Sequence, residues 1–413
     1  MSLTTVKEAL NIILNNTQDF GIEEIDFKKS LGRVLKEDIV ADRDFPPFNR
    51  VSMDGIAINF KAFKNGQTSF KIEGIQAAGD AQKALKNPNN CLEVMTGAVL
   101  PKNTDAVIQY ELLKIEDGIA TIETNTVKDF QNIHKKGLDR KQGAILIKKN
   151  TKITAAEIGI FATVGKTHIK VAKQPKVMII STGNELVEVA EKPADFQIRR
   201  SNVFTLVAHL NNLNIDAKTA HIDDDKEILA QKIETYLNGF DVLLFSGAVS
   251  KGKLDFIPEV LNSLGVKTLF HGVKQRPGKP FWFGKKACTE RHTELVEVRS
   301  DKIVFAFPGN PVSTYVSCLK YFYPWYHKSV GLNFKNENQA ILAEDFYFKP
   351  ELTYFLQVTL KNVAGKLIAT PVSGKGSGDL ANLVDADAFL ELPDNRSNFT
   401  KGESYPILIY RSF

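Results

Sequence analysis

Four acidic side chains stand beside glycine or at the end of an element: Asp54 in Ser52-Met53-Asp54-Gly55, Glu185 in Ser181-Thr182-Gly183-Asn184-Glu185, Asp224 after a strand ending at Ile222, and Asp255 before a helix. Carboxylates facing anion-binding turns commonly hold Mg²⁺ against phosphate oxygens, where the ion cancels repulsion and polarises the phosphoryl group. The chain has such turns. Phe245-Ser246-Gly247-Ala248-Val249-Ser250 and Phe307-Pro308-Gly309-Asn310-Pro311-Val312-Ser313 follow the apolar runs 241–245 and 303–307. Runs of this kind read as buried parallel strands whose carboxyl ends open into turns lined by backbone N–H groups. In the second turn Asn310 suits an N-cap and Pro311 the first helical position, so the next helix would direct its positive end at a ligand above the sheet. Other readings compete. Glycine turns also end strands that bind nothing, and Asp224 taken alone reads first as a helix N-cap, a role open to Asp255 as well. Arg276-Pro277-Gly278-Lys279-Pro280 puts two positive charges on a turn stiffened by proline, which fits an oxyanion contact or a solvated surface equally well. Met95-Thr96-Gly97-Ala98 is a further polar turn.

The elements that must position these residues follow from patterning. A chain of 413 residues has room for about three domains. Its formal charge of +5 is not gathered in one tract, which gives nucleic-acid binding little support. Cys91, Cys288 and Cys318 are odd in number and lack CxxC spacing, pointing to a reducing compartment. The histidines are scattered singly, so any metal is expected to be a hard cation on carboxylates and substrate oxygens rather than zinc. The first ten residues lack the basic start and apolar core of a secretion signal, and no apolar run approaches membrane-spanning length; the expected location is cytoplasmic.

Residues 4–16 read as an amphipathic helix with Thr5 and Glu8 spaced as a capping box, and residues 22–35 as a second helical piece. Residues 57–146 read as short strands with hairpin signals at Asn65-Gly66 and Asp117-Gly118, and 154–164 as a helix, so that the β region is an insertion. From 175 to 328 strand and helix alternate, which implies a mostly parallel covered sheet with ligands at the strand carboxyl ends. Residues 285–301 read as a long exposed loop, and short strands from 346 onward as a small β-barrel. The expected fold is multidomain α/β plus β: a helical linker domain (1–45 and 131–174), an inserted β domain (46–130), an α/β domain (175–328) and a C-terminal barrel (329–413).

In order along the chain, Leu31-Gly32-Arg33-Val34-Leu35, Ser52-Met53-Asp54-Gly55, Thr96-Gly97-Ala98 with Asp105, Gly137 with Asp139, Ser181 to Leu186, Ser246 to Ser250, Pro277-Gly278-Lys279-Pro280 and Pro308 to Ser313 resemble the molybdopterin molybdenumtransferase family, which includes the gephyrin E domain. The resemblance covers nearly the whole chain. It implies an elongated homodimer and Mg²⁺-dependent cleavage of adenylylated molybdopterin, with molybdate joined to the dithiolene and AMP released. It further implies a site between subunits, where the Asp54 region of one chain faces the α/β domain of the other, and room for transient contact with the molybdopterin adenylyltransferase. The functional acidic positions it implies are Asp54, Asp139, Glu185, Asp224 and Asp255, with Glu185, Asp224 and Asp255 on the metal. The implied substrate contacts are Thr96, Gly97, Thr182, Gly183, Ser246, Gly247, Ser250, Arg276, Gly278, Lys279, Pro308, Gly309, Asn310, Ser313 and Ser377. Departures are Phe48-Asn49-Arg50-Val51-Ser52 where the family usually has Phe-Asp-Asn-Ser-Ala, Ala248 in place of glycine, Gln357 where arginine is common, and the longer 285–301 loop. The competing reading is a non-catalytic dimeric binding or scaffold protein, and a narrower one is tungstate insertion.

Overall fold

The apolar runs between residues 175 and 307 form a six-stranded sheet in the computed structural model, in the order Ala217–Ile222, Val177–Thr182, Val242–Ser246, Lys302–Phe307, Trp282–Lys286, Lys267–His271. The first four strands are parallel and the last two join antiparallel. Successive residues of each central strand enter opposite cores. Val242 and Leu244 pack with Ile179, Phe305 and Phe307 on one face, Leu243 and Phe245 with Ile180, Val304 and Trp282 on the other. Burial on both faces is why these strands read as unbroken apolar runs.

Helix Ser201–Asn211 gives Val203, Leu206 and Leu210 to the first core, and Lys226–Gly239 gives Leu229, Ile233 and Leu237 to the second. The spacing of three and four residues puts each set on one helical face. Asp225 caps the second helix, its side chain accepting from the N–H groups of Glu227 and Ile228. The cap is therefore the neighbour of Asp224, and Asp224 itself is released for another task. The amino-terminal helix Val6–Leu14 carries the expected capping box between Thr5 and Glu8, and buries Val6, Ala9 and Ile13 in the first core.

The described residues are 3–247, 249, 256–288, 301–332, 338–374 and 376–411. They fall into two units, Met1–Glu37 with Asn150–Ala155 and His168–Phe413, and Asp38–Lys149 with Ala156–Thr167. Within the first unit, five strands close a barrel: Thr353–Val363 pairs with Lys366–Pro371 and Ala388–Leu392, and Gln339–Leu342 with Ser404–Ile409 completes the ring. Leu356, Val358, Leu390 and Ile407 fill it. The short strand Gln275–Arg276 runs parallel to the start of Thr353–Val363, Gln275 opposite Thr353, which ties the cationic turn to the barrel.

Residues 22–35 are not helical throughout. Ile22–Asp26 is a strand antiparallel to His168–Ala172, followed by a single 3-10 turn at Phe27–Lys29. A partner so distant in sequence leaves no local signal, so tertiary pairing overrides the helical pattern. Within the second unit a six-stranded sheet runs Ala106–Gln109, Gly55–Ile58, Asn90–Val94, Ser69–Gln76, Ile119–Ile122, Leu113–Glu116. Asp117 and Gly118, both with positive φ, turn its last hairpin. Asn65-Gly66 instead ends the short helix Phe60–Lys64, with Asn65 as its C-cap. Among the described residues no helix is long and apolar enough to cross a membrane.

Candidate active site

The carboxyl ends of the parallel strands open into a cleft of about 540 Å³. Val177–Thr182 delivers Thr182, Gly183 and Glu185; Val242–Ser246 delivers Gly247; Lys302–Phe307 delivers Pro308, Gly309, Asn310 and Ser313. Asp224, beyond the end of Ala217–Ile222, stands on the same rim, and Arg276, Gly278 and Lys279 line the cleft from the cationic turn. The barrel adds Leu352 and Ser377. Ser246 is buried at the end of its strand and does not line the cleft. Ala248, Ser250 and Asp255 lie outside the described residues, as does most of the 285–301 loop.

Backbone N–H groups contribute less than the glycine turns suggest. The Gly247 N–H is taken by the Phe307 carbonyl at 3.2 Å, and the Val312 N–H by the Ser377 carbonyl at 3.1 Å. Asn310 occupies the N-cap position of helix Pro311–Ser317 without capping through its side chain. Its Nδ2 donates instead to Ser377 Oγ at 2.7 Å. The barrel loop thus occupies the helix start, and Thr182, Ser313, Ser377, Arg276 and Lys279 are the hydroxyl-bearing and cationic residues that line the cleft. Arg276 lies 5.8 Å from the Phe348 ring centroid, a cation–π contact that restrains its exposed guanidinium.

Glu185 and Asp224 line the same cleft as these cations. Burial, then the charge of Glu185, raises Asp224 above the ordinary carboxylate range, against the opposing pull of a hydrogen bond from the Asn184 backbone; the Asp224 N–H in turn donates to Asn184 Oδ1 at 3.0 Å. Two carboxylates that repel each other at the mouth of an anion site are oxygen donors suited to a hard divalent cation. Among the described residues no group of three or more His, Cys, Asp or Glu is placed to hold a metal ion.

The other sequence-marked residues belong to the second unit. Asp54 precedes strand Gly55–Ile58, where a Cβ on Gly55 would fall 1.8 Å from the Ile108 carbonyl, so only glycine fits behind it. One Asp54 oxygen accepts from the Thr96 N–H at 2.6 Å and from Thr96 Oγ1 at 2.7 Å, bonds that hold the carboxylate below its usual range. Gly97 follows with φ 88°. Asp139 Oδ1 meets His134 Nε2 at 2.9 Å, and Arg50 Nη2 meets His134 Nδ1 at 3.2 Å. Since arginine only donates, Nδ1 accepts and Nε2 carries the proton toward Asp139. Two departures therefore have local roles: Arg50 fixes this histidine, and Asn49 Oδ1 accepts from the Lys136 N–H at 2.9 Å. Gln357 is buried in the barrel, its Oε1 accepting from Asn382 Nδ2 at 2.8 Å and its Nε2 without a partner among the described residues.

Gln275, a buried lining residue, gave no motif-level signal. A polar residue directly before the Arg276-Pro277 turn is the only hint the sequence offers.

A mostly parallel sheet with two covered faces and a charged cleft at its strand ends, joined to a closed barrel, defines a multidomain α/β protein. Family models match almost end to end: "MoeA N-terminal region (domain I and II)" over residues 4–165, "Probable molybdopterin binding domain" over 178–328 and "MoeA C-terminal region (domain IV)" over 339–410. The chain is 38% identical to the molybdopterin molybdenumtransferase of Synechocystis over 98% of its own length and 99% of that protein, and 28% identical to that of Bacillus subtilis over 98% and 94%. It superposes on the crystal structure of the molybdopterin biosynthesis MoeA protein of Pyrococcus horikoshii with a TM-score of 0.81 and 27% identity, covering 99% of this chain and 100% of that one. The chain belongs to the molybdopterin molybdenumtransferase (MoeA) family.

Proposed function

We propose that the protein inserts molybdate into adenylylated molybdopterin and releases AMP. The observation that carries this reading is the cleft itself, which is lined by the carboxylates Glu185 and Asp224, the cations Arg276 and Lys279, and the hydroxyl-bearing Thr182, Ser313 and Ser377. The hydroxyls would hold phosphate oxygens, and the two cations would collect the molybdate dianion and steer it toward the dithiolene. Water attack on the phosphoanhydride would leave the pterin phosphate on one side and AMP on the other. Glu185 and Asp224 would hold Mg²⁺, with Asp255 a further ligand by resemblance. When bound, that ion supplies charge neutralisation on the phosphate oxygens at the bond being cleaved.

The carboxylate pair yields a test without turnover. Its folded-state pKa being raised, Asp224 binds more protons in the folded than in the unfolded protein just above the ordinary carboxylate range, so its burial and then its repulsion from Glu185 cost stability as pH rises through that window. At pH 7, Mg²⁺ is expected to raise Tm, and the increment to shrink as pH falls toward the titration of Asp224. Asp224→Asn is expected to raise Tm without metal and to remove the increment; an Mg²⁺ increment of full size in that variant would take Asp224 out of the metal set.

In this reading the protein works as a homodimer, with Asp54 of one copy serving the cleft of the other. Mixing inactive Asp54→Asn with inactive Glu185→Gln is then expected to restore roughly a quarter of wild-type AMP release, since half of randomly paired dimers are mixed and each carries one intact site. No recovery after proven subunit exchange would place both residues in a site within one chain.

A further inference from the structure

Beneath the cationic turn runs a chain of buried polar groups. Gln275 is fully buried; its Nε2 donates to the Pro277 carbonyl at 3.0 Å, and its Oε1 accepts from the Tyr321 hydroxyl. Tyr321 is itself fully buried, its ring stacked on Phe281 with centroids 4.9 Å apart. It sits on the π-helical turn Cys318–Phe322, a local widening inserted between helices Pro311–Ser317 and Tyr323–Ser329. Such turns recur where a helix must place one side chain for a task. Burial pushes the Tyr321 hydroxyl well above its ordinary pKa, so it remains a protonated donor.

Gly278 rests directly on this chain. A Cβ there would fall 2.6 Å from Gln275 Nε2 and 3.0 Å from Ser317 Oγ, and φ is 95°. Pairing of Gln275 with Thr353 fixes the amide from its other side. Packing alone does not require this arrangement, because phenylalanine would fill the Tyr321 site without burying a hydroxyl that needs a partner.

We propose that Tyr321 and Gln275 are positioning residues: acting through the Pro277 carbonyl, they set the height and angle at which Arg276 and Lys279 are presented to the oxyanion. The inference rests on the oxyanion role given to those cations above, and it assigns to two buried residues the geometry that such a role requires.

Tyr321→Phe tests it by two readouts. Amide exchange of the segment spanning residues 274–281 is expected to accelerate at least threefold, and the molybdate KM for AMP release to rise about 3- to 10-fold with kcat within about twofold, the size of one lost buried hydrogen bond. Gln275→Met, which keeps the volume and removes both bonds, is expected to match it, and the double variant to add little. Should neither variant release AMP any differently from a wild type that is itself inactive, faster exchange still supports the positioning role while the functional reading fails. Unchanged exchange overturns the inference, and so does faster exchange with an unchanged molybdate KM in an active enzyme.

Discussion

Asp54→Asn is expected to fold as the wild type does, to bind the nucleotide moiety, and to release AMP roughly 10²- to 10³-fold more slowly. The substitution is chosen for what it preserves. The asparagine carbonyl can still accept from the Thr96 N–H and hydroxyl, so the turn before strand Gly55–Ile58 keeps its shape and only the charge is lost. Those two bonds hold the Asp54 carboxyl below the ordinary range, which favours its anionic form. In the proposed reaction an anion there would serve electrostatic stabilisation or orientation of the attacking water. Wild-type turnover in the variant, measured as AMP release under saturating molybdate, would remove Asp54 from the mechanism.

Lys279→Ala is expected to raise the molybdate KM about 10- to 100-fold with a smaller change in kcat, because a charge-assisted contact contributes about 1.5–3 kcal/mol. The turn itself should persist, since its anchor is the Lys279 carbonyl, which accepts from the Val273 N–H at 2.8 Å. Lys279→Arg is expected to recover part of the loss by retaining the charge. An unchanged molybdate dependence in Lys279→Ala would move oxyanion capture to Arg276 alone.

The sequence made the α/β scaffold legible because its signals are local. Strands buried on both faces appear as apolar runs, and the helices that cover them as apolar residues three and four apart; Val242–Ser246 and Lys226–Gly239 were readable in that way. The residues at the strand ends were readable for the same reason, and Glu185, Asp224, Gly247, Gly309 and Lys279 do share one cleft. Features that depend on distant partners were not. Ile22–Asp26 is a strand because His168–Ala172 comes to it. Asn310 looks like a cap in sequence, yet Ser377 from the barrel engages both its side chain and the helix start. Asp224 and Asp225 are indistinguishable as cap candidates by type, and only the turn geometry gives the cap to Asp225 and the cleft rim to Asp224. Gln275 was invisible because its importance lies in two buried partners, neither of which is a motif residue.

The most direct measurement is AMP release by the purified protein from adenylylated molybdopterin with Mg²⁺, in the presence and absence of molybdate, with tungstate in parallel. Release that molybdate stimulates is the predicted result, and the tungstate arm ranks the two oxyanions. Tight binding of the adenylylated substrate with no AMP release under any of these conditions would contradict a transferase and leave a binding protein that retains the cleft.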